Sequence, residues 1–545
     1  MNKPDPIPFR LTIGVTGHRN LEKVEGLRNS VKNVIDKILD YFQASAYTDI
    51  LPMVLSPLAE GSDRLVTEEV LKYDGAILKV ILPLCKEEYL EDFQSEDSKK
   101  EFETLISKAN YQITLNIEPL KGNIPNDLLT EAKEQAYEDA GRYIVNHSDI
   151  LIAIWDELPS RGKGGTASIV QYARSIGCPI FIINPHSPRE IKSIEGNGLD
   201  KDLFKQIDKF NSFNADDNLW MKCAEKNSKL FFSKKETGEQ YNLPEHNKTI
   251  VKELLLPYYT HSEIFAIKNQ KWYQYIGLLV YGLSFLSVSA VGYGEIFYNH
   301  IPKFIFIIEF FFLLIISLLI FFSHKRATHR NYVENRFLAE HLRTDIILTL
   351  CGIMISPPQY LRHVKSTYAQ NSWMILILEH ILSKIPKINI NTASTVQIFK
   401  DYIRQVWINS QIDYHKRRIK KIWNKNEVLK LLEELIFYLA MLIAVIHIIF
   451  TIHLQALDNI LILSVLLLPA LGATVTAIKT HRDYKKIITD STIILNELEN
   501  LHYEFNKTLT RDQLDILIRK VEKIMRRESE EWLTHLSSKE LEKAV

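Results

Sequence analysis

The stretch LTIGVTGHR, residues 11–19, decides how the first half of the chain reads. Residues 11–17 form a nearly unbroken apolar run ending on glycine, the pattern of a strand buried on both faces of a parallel sheet. The run passes directly into His-Arg, so such a strand delivers Gly14, Thr16, Gly17, His18 and Arg19 toward its carboxyl end. Glycines there let backbone amides approach an anion, and the helix that follows adds its positive end. A single loop of this kind reads equally well as a tight turn that needs glycine's backbone freedom.

Further strands are expected at 52–58, 76–84 (AILKVILPL), 149–155 (DILIAIW) and 179–183. Helical spacing covers 26–42, 62–73, 101–110, 129–147 and 166–176. Continuously apolar strands alternating with helices predict a doubly wound, Rossmann-like α/β parallel sheet. Two more loops follow strands. EGSDR, residues 60–64, offers Glu60, Gly61, Ser62 and Arg64, and GKGGT, residues 162–166, offers Gly162, Lys163, Gly164, Gly165 and Thr166. Three loops after parallel strands converge on one sheet edge, where open α/β sheets bind ligands. Each brings glycines together with a cation or a hydroxyl, which suits a phosphorylated ligand. Asp63 reads as a helix-start residue. Trp155 reads as core and His18 as a loop histidine rather than a base. From 187 to 256 the pattern weakens into a linker or small helical insertion.

The second half carries four apolar stretches at 276–293, 304–322, 435–452 and 460–478, each close to bilayer length. Basic residues flank them on one side. Lys268 and Lys271 precede the first, and Lys325, Arg326 and Arg330 follow the second. The run 416–425 precedes the third, and Lys479, Arg482, Lys485 and Lys486 follow the fourth. The two short hairpin loops carry Lys303 alone as a firm cation, so both termini and the long middle segment are expected in the cytoplasm. Residues 416–425 double as an anchor for anionic lipid. Glu309 lies inside the second stretch, where a carboxyl is costly unless it faces protein or water, and it reads as an interfacial or pore residue. Ser284 and Ser287 share a face of the first stretch and read as helix contacts or pore lining. His447, in the third, is a weaker candidate of the same kind.

The two hairpins look duplicated: Lys-Asn precedes each, and a basic helix follows each. The chain divides into a ligand-binding domain at 1–190, an insertion at 191–265, a first hairpin with its cytoplasmic helix at 266–355, a connecting segment at 356–425, and a second hairpin with its helices at 426–545. Lys and Arg number 66, as do Asp and Glu, so no global basic field argues for nucleic acid. Four cysteines without a paired spacing argue against disulfides and structural zinc. The N-terminus lacks the apolar core of a signal peptide, which predicts a cytoplasmic head.

GVTGHR, LAEGSDR and GKGGT, in this order, resemble the SLOG superfamily over residues 9–185. That superfamily includes nucleotide phosphoribohydrolases of the LOG type and sensor domains of antiphage systems. The resemblance implies a nucleotide-derived ligand, cyclic or ADP-ribose-like, made by an enzyme encoded elsewhere, and no other cofactor. LOG enzymes carry catalytic glutamates after the glycine-rich loop. Here Ala167, Ser168, Ile169 and Val170 follow, so the resemblance implies sensing rather than turnover. The membrane half resembles SLATT effectors, with RFLAEHLR at 336–343 as the best local segment and 435–478 as a more divergent copy. That resemblance implies permeabilisation of a bacterial inner membrane in antiphage defence, and because one chain with four spans is a poor pore by itself, a homo-oligomer is expected. A membrane-tethered LOG-like phosphoribohydrolase is the alternative, and a regulated transporter ranks last.

Overall fold

The computed structural model describes residues 2–537 except 122, 126–127, 160–163, 195, 197–200, 235–236, 299, 354–371, 387–395, 450–454 and 508–509. The chain forms two compact units, one of residues 5–214 with 357–380, the other of 1–4, 215–356 and 381–545.

The first unit is built on a seven-stranded sheet. Its strands are β1 (Phe9–Gly17), β2 (Ile50–Ser56), β3 (Ile77–Leu82), β4 (Tyr111–Thr114), β5 (Ile150–Ile154), β6 (Ile180–Ile183) and β7 (Ile191–Ile194). The spatial order is β4-β3-β2-β1-β5-β6-β7, parallel throughout except for β7. The doubly wound α/β architecture expected from the sequence is therefore present. β1 is central, and Leu11, Ile13 and Val15 are buried in it. The chain builds outward from β1 to β4 and returns to pair β5 on the other side of β1, with Gly17 level with Ile154. The strand order reverses between β1 and β5, which opens a crevice at their carboxyl ends.

Helices α1 (Val24–Phe42), α2 (Ser62–Val70), α3 (Lys86–Leu90), α4 (Glu96–Ile106), α5 (Leu129–His147), α6 (Thr166–Ser175) and α7 (Lys201–Ser212) complete this unit. α1 buries Leu27, Val31, Val34, Ile35, Ile38 and Phe42, a stripe three and four residues apart. α7 uses Leu203, Phe204, Ile207 and Phe210 in the same way. The Phe204 ring meets Phe9 at 5.6 Å, and the Asn211 amide donates to the Ile7 carbonyl at 2.8 Å. The sheet unit thus runs to residue 214, past the 190 read from sequence, because the polar face of α7 masks its apolar stripe. β4 and β7 were not expected. Both are four-residue edge strands with a wet face, so neither reads as a continuous apolar run.

The second unit is helical. α8 (Asp217–Phe232) starts at Asp216, whose carboxylate accepts from the Asn218 and Leu219 amides, an ordinary N-cap. Then come α9 (Glu245–Ile250), a π-helical turn Val251–Leu255, α10 (Leu256–Phe297), α11 (Lys303–Lys325) and α12 (Thr328–Leu350). α13 (Ser372–Ser383) bridges the division between units. Beyond it lie α14 (Val396–Tyr402), a second π-helical segment Ile403–Asn409, α15 (Ser410–Ile449), α16 (Gln455–Arg482), α17 (Tyr484–Lys507) and α18 (Arg511–Ser537).

Four of these helices are long and apolar enough to cross a membrane: α10, α11, α15 and α16. α10 is about 63 Å long, roughly twice the hydrocarbon thickness, so its first half extends beyond the span. The hairpins α10–α11 and α15–α16 follow one plan. A π-helical segment leads into a long helix, a shorter helix returns, and a non-glycine left-handed residue ends the return: Ala327 at φ 48° and Asp483 at φ 49°. The next helix, α12 or α17, then packs back on the long one. The main packing among the apolar helices is α11 on α10, α10 on α16 and α16 on α15, a row rather than a closed bundle. Gly292 of α10 lets Leu466 of α16 approach, and Gly294 does the same for Ile305 of α11.

Candidate nucleotide crevice and the helical core

β1 carries GVTGHR into the crevice as expected, but its residues divide the work. Gly14 is buried within the strand, and a Cβ there would strike Ser148 and Ile144 of the α5 end. Its role is close strand–helix packing. At Gly17 a Cβ would meet Ser62 and, at 2.7 Å, the Ile154 carbonyl, so β1, β5 and α2 can converge there only around glycine. Thr16 and His18 are half-buried, and Arg19 is exposed.

The EGSDR loop is a buttress for the β1 loop. The Ser62 amide and hydroxyl both donate to the His18 carbonyl, at 3.0 and 2.8 Å. Gly61, at φ +80°, lies against the Arg19 and His18 carbonyls. Glu60 accepts from Ser98 and from the Gln94 amide. Arg64 is 3% exposed; it donates to the Leu58 carbonyl at 3.1 Å, to Ser98 at 3.0 Å and to Glu101 at 2.5 Å. Its guanidinium also covers the Phe93 ring at 4.8 Å. The first turn of α2 is thus closed by backbone carbonyls. At α6 no such carbonyl is seated among the described residues: neither the Thr166 nor the Ala167 amide makes a hydrogen bond there, and Gly164 (φ +76°) seats the loop against the α5 backbone beside half-buried Thr166. Gly162 and Lys163 lie outside the described residues.

Two carboxylates join the site without having been singled out as members. Asp156, just past β5, meets His18 Nε2 at 3.1 Å. Burial alone would raise its carboxyl, but the Leu158 amide and His18 outweigh that and hold it below the ordinary value. Asp63 lies beneath the β1 loop, 6% exposed. Burial pushes its carboxyl up to about 7, against the pull of the Ala59 amide, Arg19 and Arg64. Arg19 also lies 5.7 Å over the Tyr137 ring, and the Tyr137 hydroxyl donates to Asp92. The signal for Asp156 was its place directly after a core strand. Trp155 is core, packed with Ile169 and Val170, and its indole donates to the Leu158 carbonyl.

Asp63 has a pH consequence. A folded-state value near 7 against an ordinary 3.8 means the fold prefers the protonated acid. The stability it contributes is present below about pH 4 and lost as pH rises to about 7, a swing of up to roughly 4 kcal/mol. Asp63→Asn is expected to flatten this dependence and to raise stability at pH 8, read from amide exchange of β1 and β2 in the full chain. An unchanged pH profile would show that Asp63 ionises without cost.

The helical unit has a charged core where the extramembrane parts of its helices meet. On α12, Glu340 sits between Arg336 at 2.5 Å and Arg343 at 2.9 Å. Burial would raise the Glu340 carboxyl, yet the two arginines hold it below the ordinary range. Arg343 also donates to the Gln411 side chain of α15. Asp345, 1% exposed, accepts from Arg526 of α18 at 3.0 Å. Burial lifts this carboxyl to about 6 against Arg526, while burial and Arg526 depress His341 to about 3. Lys416 of α15 pairs with Glu499 of α17 at 2.7 Å. The end of α12, from Arg343 to Asp345, thus reaches both α15 and α18.

Within the apolar helices, α15 and α16 are tied at both ends. Glu433 accepts from Lys479 and Thr476 at one end, and His447 meets Asp458 at 2.9 Å at the other. On α10, Ser287 is buried and Ser284 donates to its own Val280 carbonyl. On α11, Ile305, Glu309, Phe312, Ile316 and Ile320 form the least exposed stripe, the one facing α10. Glu309 is thus on the protein side of its helix, about 9 Å along the axis from Lys303. Left unpaired in hydrocarbon, such a carboxyl costs about 2.5–3.5 kcal/mol.

An α/β crevice domain joined to a helical unit with four span-length helices defines the general class. Residues 402–532 match a family model described as SMODS and SLOG-associating 2TM effector domain 1 (SLATT_1). The match covers α15 to α18 up to residue 532, the half read from sequence as the more divergent copy. The expected local match at 336–343 lies outside it. No curated protein and no solved structure matches the chain.

Proposed function

We propose that this chain is a nucleotide-gated membrane effector. Its crevice takes a phosphorylated, nucleotide-derived signal, cyclic or ADP-ribose-like, and its hairpins permeabilise the membrane that holds them. One observation carries the reading: the β1 loop, with exposed Arg19, and the start of α6, whose Thr166 and Ala167 amides make no hydrogen bond among the described residues, meet at the β1/β5 switch point, in the same chain as a segment matching a two-span effector domain. Amides at a helix start and a guanidinium suit phosphate oxygens. A row of four helices encloses no lumen by itself, which supports a homo-oligomer. The setting proposed is a bacterial inner membrane, both termini cytoplasmic, in antiphage defence, with the signal supplied by another enzyme. Saturable binding of a nucleotide from a panel of cyclic nucleotides and ADP-ribose derivatives to the full chain is expected, with Arg19→Ala abolishing it; affinity unchanged in that variant removes the site.

The alternative, a membrane-tethered phosphoribohydrolase, is favoured by one feature. The His18–Asp156 pair supplies an acid/base candidate in the crevice although no glutamates follow Thr166. It predicts release of free base from a bound nucleotide, abolished in His18→Ala; binding without turnover argues against it.

A further inference from the structure

We infer that α18 is a detachable strap that ties the two hairpins together and holds the membrane helices closed, an inference that rests on reading the helical unit as a permeabilising effector. The helices of the first hairpin, α10 to α12, meet those of the second, α15 to α18, chiefly in two places: α10 on α16 and α12 on α18. The first contact joins the apolar helices, where Gly292 admits Leu466. The second joins the parts outside them. With α18 lifted from α12, the contact of α10 with α16 is the main one left between the hairpins. α18 also packs on α17, where Lys520 pairs with Glu504 at 2.8 Å and Arg527 pairs with Glu497. It can therefore leave α12 without leaving its own hairpin.

The seat of α18 is charged and incompletely satisfied. Asp345 of α12 is enclosed and has Arg526 at 3.0 Å, yet its Oδ2 makes no hydrogen bond among the described residues. One turn further along α12, the buried Thr349 hydroxyl makes none either. On α15, His415 is fully buried and neither ring nitrogen makes a hydrogen bond among the described residues. Glu528 of α18 stands 3.7 Å from His415 Nε2 and 3.8 Å from Arg418, too far for a hydrogen bond to either. Polar groups buried without partners cost free energy that returns when water reaches them, and a buried ion pair regains hydration in the same way. Lifting α18 rehydrates Asp345, Arg526 and His415 together, whereas the Gly292–Leu466 contact has no charge to rehydrate. Against this, α18 buries Leu514, Leu517, Ile518, Val521 and Met525, which favours the seated state. An apolar stripe that holds and a polar seat that lets go make an element with two arrangements.

Cys351 is a native reporter of the seat. It lies at the end of α12, 1% exposed, close to Arg511 and Asp515 at the start of α18. The test uses full-length protein in neutral-lipid liposomes without nucleotide. N-ethylmaleimide alkylates an accessible thiol, and peptide mass spectrometry reads the adduct at Cys351. Arg526→Ala is expected to speed that labelling by about tenfold or more. Glu528→Gln, a milder change at the same seat, should speed it several-fold. Cys178, buried in the sheet unit, should stay unlabelled in both, with the helix signal in circular dichroism unchanged. The same two variants should release trapped dye without nucleotide, while the parent and Arg526→Lys, which keeps the cation, stay sealed. Labelling no faster than in the parent, or faster labelling in liposomes that remain sealed, would overturn the strap. Should Arg526→Ala lose its helix signal, Glu528→Gln decides by the same two readings. No nucleotide is present, so a parent chain that ignores nucleotide counts against the crevice and not against the strap.

Discussion

Gly61→Ala is expected to abolish nucleotide binding and to destabilise the sheet unit by more than about 2 kcal/mol. Two effects add. Gly61 sits at φ +80°, where an L side chain is strained. Its Cβ would also be driven into the Arg19 carbonyl, a backbone atom that no rotamer change can move aside. The loop that must retreat is the one carrying His18 and Arg19. Gly238→Ala is a useful control: its φ of +72° is similarly left-handed, but among the described residues nothing lies within 4 Å of the new methyl. It should show the strain alone and leave binding intact. Equal nucleotide affinity for Gly61→Ala and the parent chain would show that the EGSDR loop does not support the site.

Arg526→Ala should destabilise the helical unit by about 3 kcal/mol, at the lower end for breaking a buried pair. Asp345 is almost fully enclosed and has Arg526 at 3.0 Å. Even with that partner its carboxyl is lifted to about 6, so the fold already favours the acid form. A raised folded value contributes stability at low pH that is lost as pH rises through about 6. Without Arg526 the carboxyl rises further. The deficit should therefore be larger at pH 8 than at pH 5, where Asp345 is protonated and asks little of a partner. Thermal unfolding in detergent at the two pH values measures this. A deficit that is equal at both, or larger at pH 5, would mean Arg526 acts through packing alone.

The central sheet was legible because β1, β5 and β6 are buried on both faces and spell that out as apolar runs. β4 and β7 were not, because an edge strand needs only one apolar face and four residues. The four membrane-length helices were equally plain, since hydrocarbon demands unbroken apolar sequence. What sequence could not settle was which loop residues face outward. Ser62 and Arg64 have the chemistry of phosphate ligands, yet the Ser62 hydroxyl donates to His18, and Arg64 Nε and Nη1 donate to Leu58, Ser98 and Glu101. Asp156 entered the site only when β1 and β5 proved to be neighbours. The face of α11 that carries Glu309 likewise needed its packing on α10. The shared plan of the two hairpins was hinted at by Lys-Asn pairs and shows as well in Ala327 and Asp483, left-handed breaks that no composition reveals.

Dye release from liposomes carrying the full-length protein reads whether the crevice controls permeabilisation. Addition of the nucleotide that binds the crevice should release trapped fluorophore from parent protein. Liposomes with Arg19→Ala, or with Gly165→Asp, which sets a carboxylate at the start of α6, should stay sealed at the same nucleotide concentration. Release that proceeds without nucleotide, or that Arg19→Ala leaves unchanged, would show that the crevice does not control the membrane.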